Sequence, residues 1–182
     1  MSVSIERRPR GWRLTARQWF PQERDEVFPF FADAGNLELI TPPRLRFEIL
    51  TPAPLEMAPG LLIDYRIRIR GIPVRWQTEI SIWEPSIRFV DQQLRGPYRL
   101  WHHEHRFTDV AGGTLMLDIV DYDMLCGRLA HPIMVRNDLR DIFSYRYDVM
   151  AEHFGGRGRE NDRDITTAVE TTGTVGDAAE NA

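Results

Sequence analysis

Residues 88–107, RFVDQQLRGPYRLWHHEHRF, read as two antiparallel strands joined near Gly96-Pro97. With a period of two, Trp101, His103, His105 and Phe107 share one face of the second strand, and Leu100, His102, Glu104 and Arg106 share the other. The first set is the better candidate for an inward face. Asp91, on the first strand, meets a histidine in either available register: a two-residue turn sets it opposite His102 and a three-residue turn opposite His103.

Working outward toward the N-terminus, Val74, Trp76, Thr78, Ile80 and Ile82 alternate with Arg75, Gln77, Glu79 and Ser81, and Ile63, Tyr65, Ile67 and Ile69 alternate with Asp64, Arg66, Arg68 and Arg70. Each strand therefore has an oily face and a solvated one, the pattern of an antiparallel sheet covered on one side. Arg66, Arg68, Arg70 and Arg75 belong to the solvated face. A short strand over Leu45–Ile49 precedes them. Before it, Val27, Phe30, Phe31 and Ala34 fall at helical spacing behind the acidic opening Glu23, Asp25 and Glu26, with Pro29 implying a kink or a late start. A second short turn covers Leu37–Ile40. The first strand runs from Trp12 to Phe20, and residues 1–11 are expected to be flexible.

Toward the C-terminus, Thr114–Tyr122 forms a strand whose two faces are both partly apolar, which leaves its orientation open. From Pro132 to Phe154 the period turns helical, with Val135, Leu139, Ile142, Phe143, Val149, Met150 and Phe154 on one stripe and Gly155-Gly156 as the stop. Such a helix is about 35 Å long, as long as a ten-residue strand, and can lie along the sheet. Arg146 falls on the same stripe, so it needs an acid: Asp91, Asp118 or a group on a ligand. Residues 155–182 are rich in Gly, Thr and acids and poor in large apolar side chains, the composition of a disordered tail. One domain, residues 12–154, remains.

The bulk properties exclude several functions. There is no lysine among the 182 residues, which removes Schiff-base and lysine-nucleophile chemistry. Residues 1–154 are nearly neutral, so no nucleic-acid footprint exists. No apolar run is long enough for an integral membrane segment and the start lacks a secretory signal, so a cytoplasmic protein is expected. Cys126 is alone and reads as an ordinary thiol.

The order of elements, one strand, two short helices, six antiparallel strands and a long last helix, gives an α+β two-layer arrangement in which a curved sheet wraps that helix. On Phe28-Pro29-Phe30-Phe31-Ala32-Asp33-Ala34, Asn36-Leu37, Thr41-Pro42-Pro43, Phe89-Val90-Asp91 with Gln93, Gly96-Pro97-Tyr98, Trp101-His102 with His105-Arg106-Phe107, and Asp141 to Arg146, residues 12–154 resemble bacterial members of the START/Bet v 1-like superfamily, the SRPBCC or polyketide cyclase/dehydrase proteins. The resemblance implies a helix-grip fold: a seven-stranded antiparallel sheet gripping the C-terminal helix around an apolar cavity.

The expected function is binding of a small hydrophobic ligand, lipid-like or aromatic and polyketide-like, without catalysis. The cavity would occupy roughly 300–1,000 Å³. Its candidate contacts are Ile67, Trp76, Thr78, Trp101, His103, Tyr122, Phe143, Arg146 and Met150. One alternative is a cyclase or dehydrase using His103, His105 and Asp91 as acid-base residues; another is a protein-interaction module. No cofactor is expected. No metal is assigned either, since His103 and His105 share a face but Asp91 is the only carboxylate near enough to complete a site, in a register left open.

Overall fold

The alternation read above becomes a single curved antiparallel sheet. The computed structural model describes residues 2–124 and 135–155. Its strands are β1 (Ser2–Arg7), β2 (Trp12–Phe20), β3 (Glu48–Ile49), β4 (Leu62–Ile69), β5 (Ile72–Glu84), β6 (Arg88–Arg95), β7 (Leu100–Val110) and β8 (Gly113–Asp123). They lie in the order β1-β2-β8-β7-β6-β5-β4-β3, eight strands where the sequence suggested seven. The additional one is β1. Residues expected to be flexible pair with β2 from Ser2↔Arg17 to Arg7↔Trp12 and pack Val3 and Ile5 beside Leu14, Val135 and Leu139. Gly11 makes the tight return possible: it has φ +78°, and a Cβ there would lie 2.1 Å from the Tyr122 carbonyl oxygen.

Helix α1 (Arg24–Ala32) follows β2, with Asp25 and Glu26 in its first turn and Pro29 inside it. Two 3-10 turns, Ala34–Leu37 and Pro43–Leu45, come next. Asp33 caps the first by accepting from Gly35 N–H at 2.8 Å. The last helix, α2 (Arg136–His153), buries Leu139, Phe143, Tyr147 and Met150 at intervals of three to four residues. Gln18 of β2 donates to the Tyr147 carbonyl of α2, and Gln22, just past β2, donates to the carbonyl of Phe154 at the end of that helix. Pro132, Cys126 and the tail from Gly156 lie outside the described residues.

The sheet and α2 enclose three apolar clusters. Phe20, Val27, Phe28, Phe31, Phe107, Met116 and Met150 close one end under α1. Leu14, Val120, Tyr122, Leu139 and Phe143 close the other, and Ala34, Ile63 and Ile80 form the third. The open orientation of β8 is resolved, with Thr114, Met116, Asp118, Val120 and Tyr122 inward. Among the described residues no helix is long and apolar enough to cross a membrane.

Candidate functional site

Between sheet and helix lies a cavity of about 640 Å³, within the range of small-molecule sites. It draws its wall from all three clusters, among them Phe31, Ile63, Ile80, Phe89, Leu139 and Phe143.

Of the residues expected to touch a ligand, Ile67, Trp76, Thr78, Trp101, His103, Phe143 and Arg146 line this cavity, and so do Asp91 and His105. Tyr122 and Met150 do not. Tyr122 is fully buried, its ring stacked on Trp12 at 6.1 Å and flanked by Tyr98 and Trp101. Met150, also fully buried, lies farther along α2 among Phe20, Phe31 and Phe154. Tyr65 and Tyr98 were missed: Tyr65 stacks on Trp76 at 5.7 Å with its hydroxyl 3.3 Å from Thr78 Oγ1, and burial pushes its phenol well above the ordinary value. Tyr65 was legible as an inward strand position; Tyr98, in the turn, had no periodicity to place it.

The polar wall comes from the hairpin. Asp91 pairs with His103, and Gln92 with His102, which settles the register. The turn geometry explains it. Gln93 Nε2 donates to the Tyr98 carbonyl at 2.7 Å while Tyr98 N–H donates to Gln93 Oε1, and a Cβ on Gly96 would lie 2.2 Å from that oxygen. On the far side of β7, Asp118 of β8 stands opposite His105.

The result is a closed group of four. Asp91 Oδ2 lies 3.3 Å from His103 Nδ1 and 3.2 Å from His105 Nε2, while Asp118 Oδ1 lies 3.3 Å from His103 Nε2 and 2.7 Å from His105 Nδ1. Two contacts, His103 Nε2 with Asp118 and His105 Nε2 with Asp91, are aligned as hydrogen bonds. The other two are close but out of line, and among the described residues His105 Nδ1 has no hydrogen-bond partner. Burial alone would raise both carboxyls, but the imidazoles reverse this and hold Asp91 and Asp118 below the ordinary aspartate range. Burial would lower His103, yet the Asp91 charge and the bonds to both carboxylates leave it raised. Phe89 stacks on His105 at 4.2 Å, and Phe143 of α2 covers His103 at 5.8 Å.

Among the described residues Arg146 meets no acid. The two buried carboxylates that were expected to answer it, Asp91 and Asp118, are engaged by the imidazoles, and Arg146 Nε and Nη1 are buried without hydrogen-bond partners. Its guanidinium lies 5.0 Å from the Phe143 ring centroid instead.

No protein-family model matches the sequence, and no curated protein matches it. Solved structures do. A protein from Arthrobacter aurescens superimposes with TM-score 0.65 at 15% identity over 84% of this chain and 93% of its own. Ginseng major latex-like protein 151 from Panax ginseng does so with TM-score 0.59 at 13% identity over 78% of this chain and 96% of its own. Ara h 8.0201 gives TM-score 0.59 at 13% identity over 78% and 96%. The chain has the START/Bet v 1-like fold. In START/Bet v 1-like terms, α2 is the gripped helix. At these identities the likeness carries the architecture, and the reading of the site rests on this chain's own residues.

Proposed function

We propose that this START/Bet v 1-like protein binds a small hydrophobic ligand, lipid-like or aromatic, in the cavity between sheet and α2. The observation that carries this reading is the size and wall of the cavity. About 640 Å³ bounded mainly by aromatic and aliphatic side chains is room that a packed core would not leave. A void of this kind costs stability when empty, so an apolar occupant gains what the protein lacks. A few polar groups at one wall, Thr78, Tyr65 and the Asp91-His103-His105 set, give the occupant an orientation.

An apolar fluorescent dye should bind the purified protein with one-to-one stoichiometry and be displaced by fatty acids or polycyclic aromatics, and native mass spectrometry should find a co-purifying small molecule. Ile67→Phe supplies the control. Its added ring points into the void, so the melting temperature should hold or rise while dye affinity falls at least about fivefold, in contrast to the destabilisation such a change brings in a filled core. A dye that binds the variant as well as the native protein would remove the cavity from the account.

The second reading, acid-base chemistry of the cyclase or dehydrase kind, is favoured by one feature: an imidazole-carboxylate group with shifted proton affinities borders the space an apolar substrate would fill. Turnover of a polyketide-like substrate that is lost in His103→Ala, with dye binding retained, would select it over simple binding.

A further inference from the structure

His103 and His105 stand two residues apart on the inner face of β7, flanked by Asp91 on β6 and Asp118 on β8. All four are largely buried, with side-chain exposures of 5%, 6%, 18% and 8% respectively. Each ring turns one nitrogen to Asp91 and the other to Asp118. Asp91 is on the side that borders the cavity, whereas Asp118 does not line the cavity and lies behind the rings.

We propose that Asp91, His103 and His105 bind a divalent first-row transition-metal ion, with Asp118 holding both imidazoles from behind. One ligand atom from each of the three residues lies within 4.8 Å of the others. The Asp91 contacts of 3.2 and 3.3 Å match the separation of atoms bound to a common ion at about 2.0–2.2 Å.

With neutral imidazoles the proton count leaves a place for the ion. A neutral imidazole has one N–H for two ring nitrogens. Whichever nitrogen carries it, the other turns a lone pair toward a carboxylate oxygen, at 2.7 to 3.3 Å across the four contacts. With both protons on the Asp118 side, His103 Nε2 donates along an aligned contact, while His105 Nδ1, 2.7 Å from the same oxygen but out of line, needs a small ring rotation to donate as well; Asp118 then fixes both tautomers, as outer carboxylates do for metal-bound histidines. Two lone pairs and the Asp91 oxygen then converge on one point at the cavity wall. A single divalent cation there relieves both repulsions and balances the two buried carboxylates. Two imidazole nitrogens and one oxygen suit zinc, iron(II), cobalt(II) or nickel(II) better than magnesium or calcium. Coordination positions on the cavity side would remain open to a ligand oxygen.

The competing arrangement reaches the same charge balance with two imidazolium rings and no ion, and the test separates them. Tag-free full-length protein is treated with chelator, dialysed, and titrated with Co²⁺ and then Zn²⁺. Expected are one-to-one binding with visible Co²⁺ absorption that Zn²⁺ abolishes, a loss of at least about 100-fold in affinity in His103→Ala and His105→Ala, and about 10- to 100-fold in Asp118→Asn. Because these variants can fail to fold, ¹⁵N spectra of the native imidazoles give an independent reading: on adding Zn²⁺, His103 and His105 should take the pattern of neutral, metal-bound rings. Two outcomes overturn the proposal: imidazolium patterns that do not change with Zn²⁺ in large excess, or ion binding that persists undiminished in both folded histidine variants. Dye binding in the chelated protein is scored separately, so failure of the ion leaves the hydrophobic-ligand reading intact.

Discussion

Arg146 is the residue whose surroundings depart most from its chemistry. Two buried nitrogens without acceptors cost about 1–3 kcal/mol each, more than the cation–π contact with Phe143 returns at about 0.5–1 kcal/mol. Arg146→Met, similar in length and apolar, should therefore raise stability in denaturant melts by about 1 kcal/mol. A loss of stability instead would mean that the guanidinium has a partner. Arg13 and Asp121 are the opposite case: opposed across β2 and β8, they form aligned contacts of 2.7 and 2.6 Å. The bond from Arg13 is the main reason the Asp121 carboxyl lies below its ordinary value. A lowered carboxyl stabilises the fold above its unfolded pKa of about 3.9, and that contribution is lost as pH falls through the lower folded value. Because both side chains are about a third exposed, the effect is at most about 1 kcal/mol. Asp121→Asn should thus lower the melting temperature equally at pH 7 and pH 5, and the gap should close below about pH 4. At this scale the sequence was legible for facing and not for partnership. His103 and His105 were visibly inward because they alternate with Glu104. That Asp118 would claim both rings was not visible, because β8 has apolar residues on both faces and no pattern to say which one turns in.

Elements with one oily face were the easiest to read. β4 alternates strictly, and β5 does so from Val74 as far as Ile80, where its register with β6 shifts, because one side faces the cavity or core and the other is more exposed; β7 departs from it at Glu104, buried between His103 and His105, and α2 announces itself by its stripe. β1 did not. Its six residues include only Val3 and Ile5 as large apolar side chains, and its hold comes from the ladder with β2 and from contact with Val135 and Leu139. Both are tertiary facts. The hairpin register was equally hidden, since it depends on the Gln93 side chain closing the turn onto Tyr98. Deleting residues 1–8 should leave a folded protein and lower its stability by about 1–2 kcal/mol, the worth of two part-buried aliphatic side chains. An unchanged melting temperature would return this segment to the flexible state its composition suggests.

At the scale of the molecule, one layer grips the other around a volume neither fills, and ion pairs join the two layers beside it. Arg70, at the β4–β5 turn, bonds Asp138 of α2 at 3.2 Å through two nitrogens, and Arg44 of the second 3-10 turn lies 3.7 Å from Asp141 of the same helix. All four side chains are at least a third exposed, and Arg70, Asp138 and Arg44 border the cavity. Exposed ion pairs are weak and are screened over about 8–10 Å at ordinary ionic strength. Here they join α2 to the β4–β5 turn and to the second 3-10 turn beside the cavity, so the expected effect is on time rather than on affinity. For an uncharged guest, salt should quicken capture and escape alike and leave the dissociation constant almost still. Stopped-flow traces of dye uptake and release at 20 and 500 mM NaCl should show both rates rising together, and Arg70→Gln should erase most of that salt dependence. If the rates ignore salt, the traffic of guests passes some other way.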